Sequence, residues 1–267
     1  MQHIHRLEPG QPVRIRELPT SGRQFHDDKE SAVAEYKALR DELAELQRRL
    51  YAEGKHKVLI VFQATDAGGK DGAIRKVFHG VNPQGVRVHP FKKPTQEELA
   101  YDFLWRVHKV APAAGMIGVF NRSHYEDVLV VRVHELAPES VWRPRYEHIN
   151  AFEKMLHNAG TTILKFFLHI SKEEQKERFQ ARLDNPDKQW KFAFEDLEKR
   201  QLWNAYMGAY EEMLNRCNTA WGPWHVIPAD QKWYRNLAIS RVIVQALKEL
   251  NPQYPAPQRD LSNVIIP

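Results

Sequence analysis

Residues 57–64, KVLIVFQA, contain a continuous apolar run that leads directly into a glycine-rich stretch, ATDAGGKDG (64–72). An apolar run bounded by turn residues is typical of a strand that is buried on both faces of a parallel sheet. A helix-like stretch, AIRKVFHGV (73–81), follows the glycines. Since loops that follow parallel strands gather at one edge of the sheet, where ligands usually bind, this unit predicts a binding loop.

Four more apolar runs occur along the chain, at 86–91, 114–120, 161–170 and 224–228. Helical patterns separate them; we predict helices at 31–54, 95–109, 145–159, 171–183, 194–216 and 232–250. This alternation predicts an α/β fold with a doubly wound parallel sheet. With 267 residues, of which 42% are hydrophobic, the chain favours a single domain over 1–267. We expect 1–28 and 251–267 to be extended terminal segments.

The glycine-rich stretch resembles a phosphate-binding loop. Backbone N–H groups of such a loop, the positive end of the following helix and the charge of Lys70 would together bind phosphate oxygens. The alternative is a turn whose glycines only relieve backbone strain. Ala64 replaces the first glycine of the common pattern, and Asp71 replaces its Ser or Thr. The predicted phosphate-binding residues are Ala67, Gly68, Gly69, Lys70, Asp71 and Gly72.

Carboxylates inside a phosphate loop would repel the ligand unless a cation lies between them. Mg²⁺ takes oxygen ligands and commonly bridges protein carboxylates to substrate phosphates. We therefore assign Asp66 to metal binding or to positioning of the acceptor, with Asp71 as a weaker candidate for the same role.

A second polar cluster, NRSHYED (121–127), follows the apolar run MIGVF. In phosphate-loop enzymes the end of a second strand commonly carries the acid that organises magnesium. Asn121 stands first here, so that acid is displaced to Glu126 or Asp127, and the choice between them stays open. Arg122 is placed to stabilise charge on a transferring phosphoryl group. The alternative is a capped surface helix with solvated charges.

Basic residues form two further clusters. Arg178 and Arg182 share a helix face at i and i+4, and a proline-broken loop with Lys188, Trp190 and Lys191 follows. This segment could close over a polyanion, although a solvated face is the common explanation of such a charge run. Lys92 and Lys93 after the second apolar run are a similar case.

Charge and cysteine content exclude several classes of protein. The formal charge is +5, which fits an anionic substrate but does not require one. A single cysteine, Cys217, excludes an intramolecular disulfide, and the histidines lack metal-binding spacing; His3 and His5 are expected at the surface. The N-terminus has no apolar signal region, and no run of about 18 apolar residues occurs. We expect a cytoplasmic protein with no membrane partner.

Four motifs in order resemble the polyphosphate kinase 2 family over about residues 30–250. They are ATDAGGKDG, FNRSHYEDV (120–128), ERFQARLDNPDKQWKF (177–192) and IPADQKWYRNL (227–237). The resemblance implies a three-layer P-loop kinase fold, with a parallel sheet flanked by helices and a helical lid at about 178–200. It implies Mg²⁺, with Mn²⁺ as a possible substitute, and reversible phosphoryl transfer between polyphosphate and AMP or ADP.

The resemblance also implies roles for individual residues. Asp66, Lys70 and Arg122 would be catalytic, and Asp66, Glu126 and Asp127 would hold the metal. Many family members read FDRSWYNR where this chain has Asn121, His124 and Glu126. The glutamate resembles the subgroup that accepts both AMP and ADP. The implied phosphate-binding residues outside the loop are Lys92, Lys93, Arg178, Arg182 and Lys188, and the implied nucleotide-binding residues are Asn121, Arg122, Glu126, Asp127 and Lys191.

Polyphosphate is a repeating anion, so an extended basic path would bind it. Lys92 and Lys93 with Arg132, Arg143 and Arg145 are the candidates for that path. The expected partners are polyphosphate, adenine nucleotides, with guanine nucleotides as a further option, and other copies of the chain in a homo-oligomer; nucleic acid is not an expected partner. Two rivals remain: an ATP-dependent nucleoside monophosphate kinase and a non-catalytic polyanion or nucleic-acid binder.

Overall fold

A computed structural model describes residues 4–262, 264 and 266. The sheet has five parallel strands in the order β2-β3-β1-β4-β5. They are β1 (Lys57–Gln63), β2 (Val86–Pro90), β3 (Ile117–Asn121), β4 (Thr161–His169) and β5 (Trp224–Pro228). All five predicted strands are therefore present, and the predicted parallel α/β sheet is confirmed.

Twelve α-helices lie within the described part of the chain. They are α1 (Lys29–Glu53), α2 (Lys70–Val77), α3 (Gln96–Leu99), α4 (Trp105–His108), α5 (Glu126–Val133), α6 (Glu139–Trp142), α7 (Arg145–Asn158), α8 (Lys172–Leu183), α9 (Pro186–Gln189), α10 (Phe194–Gln201), α11 (Trp203–Arg216) and α12 (Lys232–Leu250). Among these described helices, none is both long and apolar enough to cross a membrane.

Two predicted helices are wrong in their extent. The stretch 95–109 forms the separate helices α3 and α4, because the Asp102 carboxylate accepts a hydrogen bond from the backbone of Leu104 and starts a new turn. The stretch 194–216 is interrupted at Leu202, between α10 and α11. By contrast, α1 begins two residues early, since Asp28 caps its first backbone N–H groups.

The apolar run of β1 supplies both cores of the molecule. Val58, Ile60 and Phe62 pack on one face of the sheet with α1, α2 and α12. Leu59 and Val61 pack on the other face with α5, α7 and α11. Because every other side chain of a strand points to the same face, a strand covered on both sides needs an unbroken apolar run. The result is three layers, with helices on both sides of the sheet.

The N-terminal segment packs against the edge of the sheet. It contains two short 3₁₀ helices, Ile15–Glu17 and Gly22–Gln24. His5 is buried and bonds to the hydroxyl of Tyr234 at 2.7 Å, so the expectation of a surface position for His5 is wrong. His3 lies outside the described residues.

Candidate active site

The glycine-rich loop lies between the carboxyl end of β1 and the first turn of α2. Gly69 precedes α2 with a φ of 96°, in the left-handed region. A side chain at Gly68 would come within 2.5 Å of the Cβ of Ala64. A side chain at Gly69 would come within 2.2 Å of the Arg235 guanidinium. Close packing therefore requires Gly68, and the left-handed backbone conformation favours glycine at position 69. The tight turn leaves the backbone N–H groups at the start of α2 in position for an anion.

Lys70 is buried at the start of α2, and its Nζ donates to the backbone carbonyl of Ala64 at 2.8 Å. Burial, together with the charge of Arg122, lowers the pKa of Lys70 to about 8. Its exposed fraction is 8%, and among the described residues no carboxylate forms a direct ion pair with it. Lys70 therefore holds a positive charge in the loop that an anionic ligand would stabilise.

Asp66 and Arg122 face each other across the cleft beside the loop. Arg122 Nη2 lies 2.8 Å from Asp66 Oδ1, and Nη1 lies 3.6 Å from Glu126 Oε2. Burial alone would raise the pKa of Asp66, but Arg122, Lys70 and Lys199 outweigh it and hold that pKa below its usual value. Asp66 therefore stays ionised, and two carboxylates flank one guanidinium.

Arg122 owes its position to an unusual backbone conformation. Its φ is 64°, in the left-handed region that a non-glycine residue rarely adopts. Its backbone N–H donates to the carbonyl of Phe62 at the end of β1. The end of β1, which leads into the phosphate loop, is therefore bonded to the end of β3, which leads into the second polar cluster. This is the arrangement expected where parallel strands end at one edge of the sheet.

A buried polar network holds the second polar cluster, residues 121–127, in place. Lys165 Nζ lies 2.7 Å from Glu153 and 2.8 Å from the hydroxyl of Tyr125, and His124 bonds to Glu153 at 3.1 Å. All four side chains are buried. Since His124 and Tyr125 lie between Arg122 and Glu126, this network fixes the backbone that carries both site residues. Lys165 interrupts the apolar run of β4, and this lysine is the sequence feature that could have indicated the buried network. The sequence analysis did not use it.

The three predicted metal ligands do not converge. Asp66 and Glu126 line one cleft, but Asp127 pairs with Arg145 at 3.0 Å. Burial raises the pKa of Asp127 to about 6 despite that ion pair. Within residues 4–262, 264 and 266, no group of three His, Cys, Asp or Glu side chains is arranged to hold a metal ion. A metal here would therefore need oxygen ligands from a substrate as well.

The loop residue Asp71 lies elsewhere. It is exposed in the first turn of α2, and its Oδ1 accepts a hydrogen bond from Asn121 Nδ2 at 2.7 Å. This contact joins the phosphate loop to the end of β3. Asp71 is therefore placed to position Asn121.

The cleft has an aromatic wall that the sequence analysis missed. Its lining residues are Ala64, Thr65, Asp66, Arg122, Glu126, Val130, Gln175, Lys199, Trp203, Tyr206 and Tyr210. Trp203, Tyr206 and Tyr210 share one face of α11 at helical spacing, which is the signal that could have identified them. One side of the cleft is thus charged and the other largely apolar.

The predicted lid contacts the site through residues that were not predicted. Lys199 on α10 lies 3.4 Å from Asp66. The neighbouring Arg200 donates to Gln175 Oε1 at 2.9 Å, and Gln175 in turn donates to the backbone carbonyl of Asp66. Two successive lid residues therefore join α10 to the phosphate loop, one directly and one through Gln175.

The basic residues predicted for the lid do not line the cleft formed by the described residues. Arg178 is buried and braces the loop: it donates to the carbonyls of Ala67 and Ala229 and pairs with Glu174. Arg182 pairs with Asp196 at 3.4 Å. Lys188 and Lys191 are exposed, as are Lys92 and Lys93 after β2, and none of these four lysines lines the cleft formed by the described residues. Their assignment to phosphate or nucleotide stays a prediction.

The arginines of the predicted basic path have partners within the protein. Arg132 and Arg143 both pair with Glu212 and lie over the ring of Trp142. Arg145 pairs with Asp127. Their charges are therefore already balanced by nearby carboxylates.

Comparison with known proteins gives consistent matches over nearly the whole chain. The family model for polyphosphate kinase 2 (PPK2) matches residues 26–255. The AMP/ADP-polyphosphate phosphotransferase of Meiothermus ruber is 52% identical over 98% of this chain and 98% of its own length. The ADP-polyphosphate phosphotransferase of Rhodopseudomonas palustris is 45% identical over 94% and 91%, respectively. A crystal structure of polyphosphate kinase 2 from Arthrobacter aurescens TC1 matches with a TM-score of 0.93 at 42% identity, covering 97% of this chain and 93% of that one.

Proposed function

The chain belongs to the polyphosphate kinase 2 family and is a phosphotransferase, and from this premise we propose that it moves a phosphoryl group reversibly between inorganic polyphosphate and AMP or ADP. The observation that carries the proposal is the pairing of a phosphate loop with a carboxylate and guanidinium directly beside it. Lys70 and the start of α2 bind phosphate, while Asp66 and Arg122 face each other at 2.8 Å next to that loop. A module that only binds polyanions has no need of carboxylates at its phosphate site.

Asp66, Lys70 and Arg122 are the proposed catalytic residues. Lys70 and the N–H groups of residues 67–72 hold the donor phosphate, and Arg122 neutralises charge on the transferring group. The acceptor is itself a phosphate whose second pKa lies near ~6, so it is already ionised at neutral pH and needs no strong base. Catalysis then consists mainly of alignment and charge neutralisation.

Mg²⁺ is the proposed cofactor, with Mn²⁺ as a substitute. Asp66 and Glu126 line the same cleft and supply the one or two carboxylates that Mg²⁺ commonly takes from a protein when substrate phosphates complete its shell. The ion pair between Asp127 and Arg145 supports Glu126 over Asp127 as the second ligand. When bound, the metal would neutralise phosphate charge between donor and acceptor.

The segment 178–200 is the proposed lid. Arg178 holds the start of the segment against the loop, whereas Lys199 and Arg200 tie down α10 near its end, so α10 opens when the contacts of Lys199 and Arg200 break. When the lid is closed, Lys199 brings a third cation to the side of Asp66 that faces the cleft. The aromatic face of α11 lies beside the lid and offers an apolar wall for the nucleotide base.

A donor assay tests the function. The protein is incubated with Mg²⁺, polyphosphate and either AMP or ADP, without ATP, and the nucleotides are separated by chromatography. ATP made from AMP supports the proposal and the use of both acceptors. ADP formed from AMP only when ATP is supplied would favour a nucleoside monophosphate kinase, and no transfer from either donor would favour a binding protein.

The variants Lys70→Ala and Arg122→Ala test the proposed catalytic roles of these two residues. Each is expected to lower kcat/KM by about 10²- to 10³-fold, because each removes a charge that stabilises the transition state. Circular dichroism of the variants confirms that they fold. Turnover close to that of the unmodified protein in either variant would contradict its catalytic role.

Three further expectations stay predictions. They are a cytoplasmic location, a homo-oligomeric state and the use of guanine nucleotides. Size-exclusion chromatography with light scattering and the same assay with GDP test the last two.

A further inference from the structure

Tyr206 and Tyr210 lie one turn apart on the face of α11 that lines the cleft, but their hydroxyl groups differ. The hydroxyl of Tyr206 bonds to His134 Nε2 at 2.9 Å. His134 follows the last turn of α5, and its ring also lies edge-on to that of Tyr206. Across the described part of the chain (4–262, 264 and 266), the hydroxyl of Tyr210 forms no hydrogen bond. Only the hydroxyl of Tyr210 is therefore available to a ligand.

The ring of Tyr210 is held firmly in the body of the protein. Its side chain is 3% exposed, and its ring centroid lies 4.6 Å from that of Phe167 in β4. Buried polar groups in proteins nearly always have a hydrogen-bond partner, because a buried hydroxyl without one costs free energy. A fixed tyrosine with an unbonded hydroxyl at the cleft therefore indicates a partner that the substrate supplies.

The surroundings of Tyr210 make its hydroxyl a neutral hydrogen-bond donor. Burial, followed by the charges of Glu126 and Asp66, raises the pKa of Tyr210 well above its usual value, and only the charge of Arg122 opposes this rise. The hydroxyl therefore keeps its proton and needs an acceptor. Since Arg122 is the residue proposed to neutralise a phosphoryl group, a phosphate beside its guanidinium is the acceptor that this part of the cleft would receive.

We propose that the Tyr210 hydroxyl donates a hydrogen bond to the phosphate of the acceptor nucleotide and so makes the site select a phosphorylated acceptor over a nucleoside. This inference rests on the proposed function and adds a specificity-determining residue to it. A neutral donor holds the phosphate without adding charge to a cleft that already contains Arg122 and Lys199. Tyr206, whose hydroxyl is bonded to His134, contributes its ring to the apolar wall.

Tyr210→Phe removes the hydroxyl and keeps the ring. In this variant kcat/KM for AMP and for ADP should fall about 10- to 100-fold, because a hydrogen bond to a charged phosphate is lost. The Tm of the free protein should stay equal or rise, since this hydroxyl has no partner in the protein to lose. The control is Tyr146→Phe, which removes a buried hydroxyl outside the cleft; its kinetic constants should not change.

Tyr206→Phe gives the comparison on the same face of α11. It should lower Tm, because it leaves His134 without its partner, and it should lower kcat/KM less than Tyr210→Phe does. A value of kcat/KM in Tyr210→Phe equal to that of Tyr146→Phe would overturn the proposal. So would an equal loss of activity in Tyr206→Phe and Tyr210→Phe, because the availability of the hydroxyl would then make no difference.

Calorimetric titration without polyphosphate identifies the group that Tyr210 contacts. The Kd for AMP should be at least about tenfold higher in Tyr210→Phe than in Tyr146→Phe. The Kd for adenosine, which lacks the phosphate, should be the same in both variants. An equal rise for adenosine would place the contact on the nucleoside and overturn the proposal.

The same titration separates this inference from the proposed function, because binding needs no turnover. If the protein transfers no phosphoryl group from polyphosphate but Tyr210→Phe still loses affinity for AMP and not for adenosine, the proposed function fails and the phosphate contact stands. If the protein transfers phosphoryl groups and Tyr210→Phe and Tyr146→Phe bind AMP equally, the phosphate contact fails and the proposed function stands.

Discussion

At the scale of single residues, charge balance at the cleft explains the departures from the common phosphate-loop pattern. Asp66 would repel a phosphate if it stood alone, but Arg122 and Lys199 lie within 3.4 Å of it. Asp71 has a different role, since it holds Asn121. Lys70 carries its charge at the loop under burial that disfavours it. A bound phosphate relieves that penalty, so the residue is poised to bind an anion.

The pKa of Lys70 predicts an alkaline limit to activity. Above about pH 8 the free enzyme loses the Lys70 charge, so kcat/KM for polyphosphate should fall as pH rises through that value. Bound phosphate raises the pKa of Lys70, so the fall in kcat should appear at a higher pH. Steady-state kinetics between about pH 6.5 and 10 measure both profiles. A kcat/KM that is constant over this range would contradict the assignment.

Glu126 should influence the choice of acceptor. It contacts Arg122 at 3.6 Å, and the Gln63 amide nitrogen donates to it at 3.0 Å in the orientation that satisfies both neighbours. AMP and ADP present their terminal phosphates at different distances from the base, so the position of Arg122 matters to each differently. Glu126→Gln should change the ratio of kcat/KM for AMP and ADP by about tenfold, which is about 1.4 kcal/mol. An unchanged ratio would remove Glu126 from acceptor selection.

At the scale of elements, the lid is connected to the loop through adjacent residues with different roles. Lys199 pairs with Asp66 in the cleft, whereas Arg200 bonds to Gln175 and to the backbone of Lys172. Lys199 therefore contributes charge where the reaction is proposed to occur, whereas Arg200 fixes α10 to α8.

Substitution of the lid residues separates these roles. Lys199→Ala should lower kcat by about 10²-fold with a smaller effect on KM, because the lost charge acts in the transition state. Arg200→Ala should raise KM more than it lowers kcat, because it loosens closure. Glu198→Ala, which alters an exposed side chain of the same helix, is the comparison. Equal profiles for the Lys199 and Arg200 variants would mean that both residues act only on lid position.

At the scale of the whole molecule, the N-terminal segment is part of the folded body. The backbone of Leu7 bonds to Trp224, and that of Val226 bonds to His5, so the segment continues along the edge strand β5. It covers an edge that would otherwise present unpaired backbone groups. Burial lowers the pKa of His5 to about 4, and it lowers the pKa of His169, at the end of β4, to about 4 as well.

These two histidines predict a loss of stability in acid. The unfolded chain takes up protons as pH falls below about 6.5, while the native state stays neutral at both positions until about pH 4. The free energy of unfolding should therefore decrease as pH falls through this window. Between about pH 6.5 and 5, the free energy of unfolding of His5→Gln should fall by up to about 2 kcal/mol less than that of the unmodified protein. Urea unfolding at the two pH values measures this, and equal losses would show that His5 does not contribute.

The strands, the parallel sheet, the glycine-rich loop after β1 and the position of Asp66 and Arg122 at the same edge of the sheet were all predictable from the sequence. These follow from local patterns, because an apolar run, a glycine pair and a strand end each specify their own conformation, and parallel strands bring their carboxyl ends together. The break between α3 and α4 was missed because it depends on one side chain of Asp102 bonding to the backbone.

Which charges are available to a ligand depends on the tertiary structure. Arg178, Arg145 and Asp127 were candidates from the sequence. Arg178, however, bonds to Glu174 and to backbone carbonyls distant in the chain, and Arg145 and Asp127 compensate each other. Arg235 and Lys199 attracted no attention, yet one lies buried at the loop without an acid and the other reaches Asp66. The physical reason is that a pattern of residues specifies which groups carry charge, whereas burial and the nearest counter-charge, which depend on how separate elements pack, determine what each charge can bind.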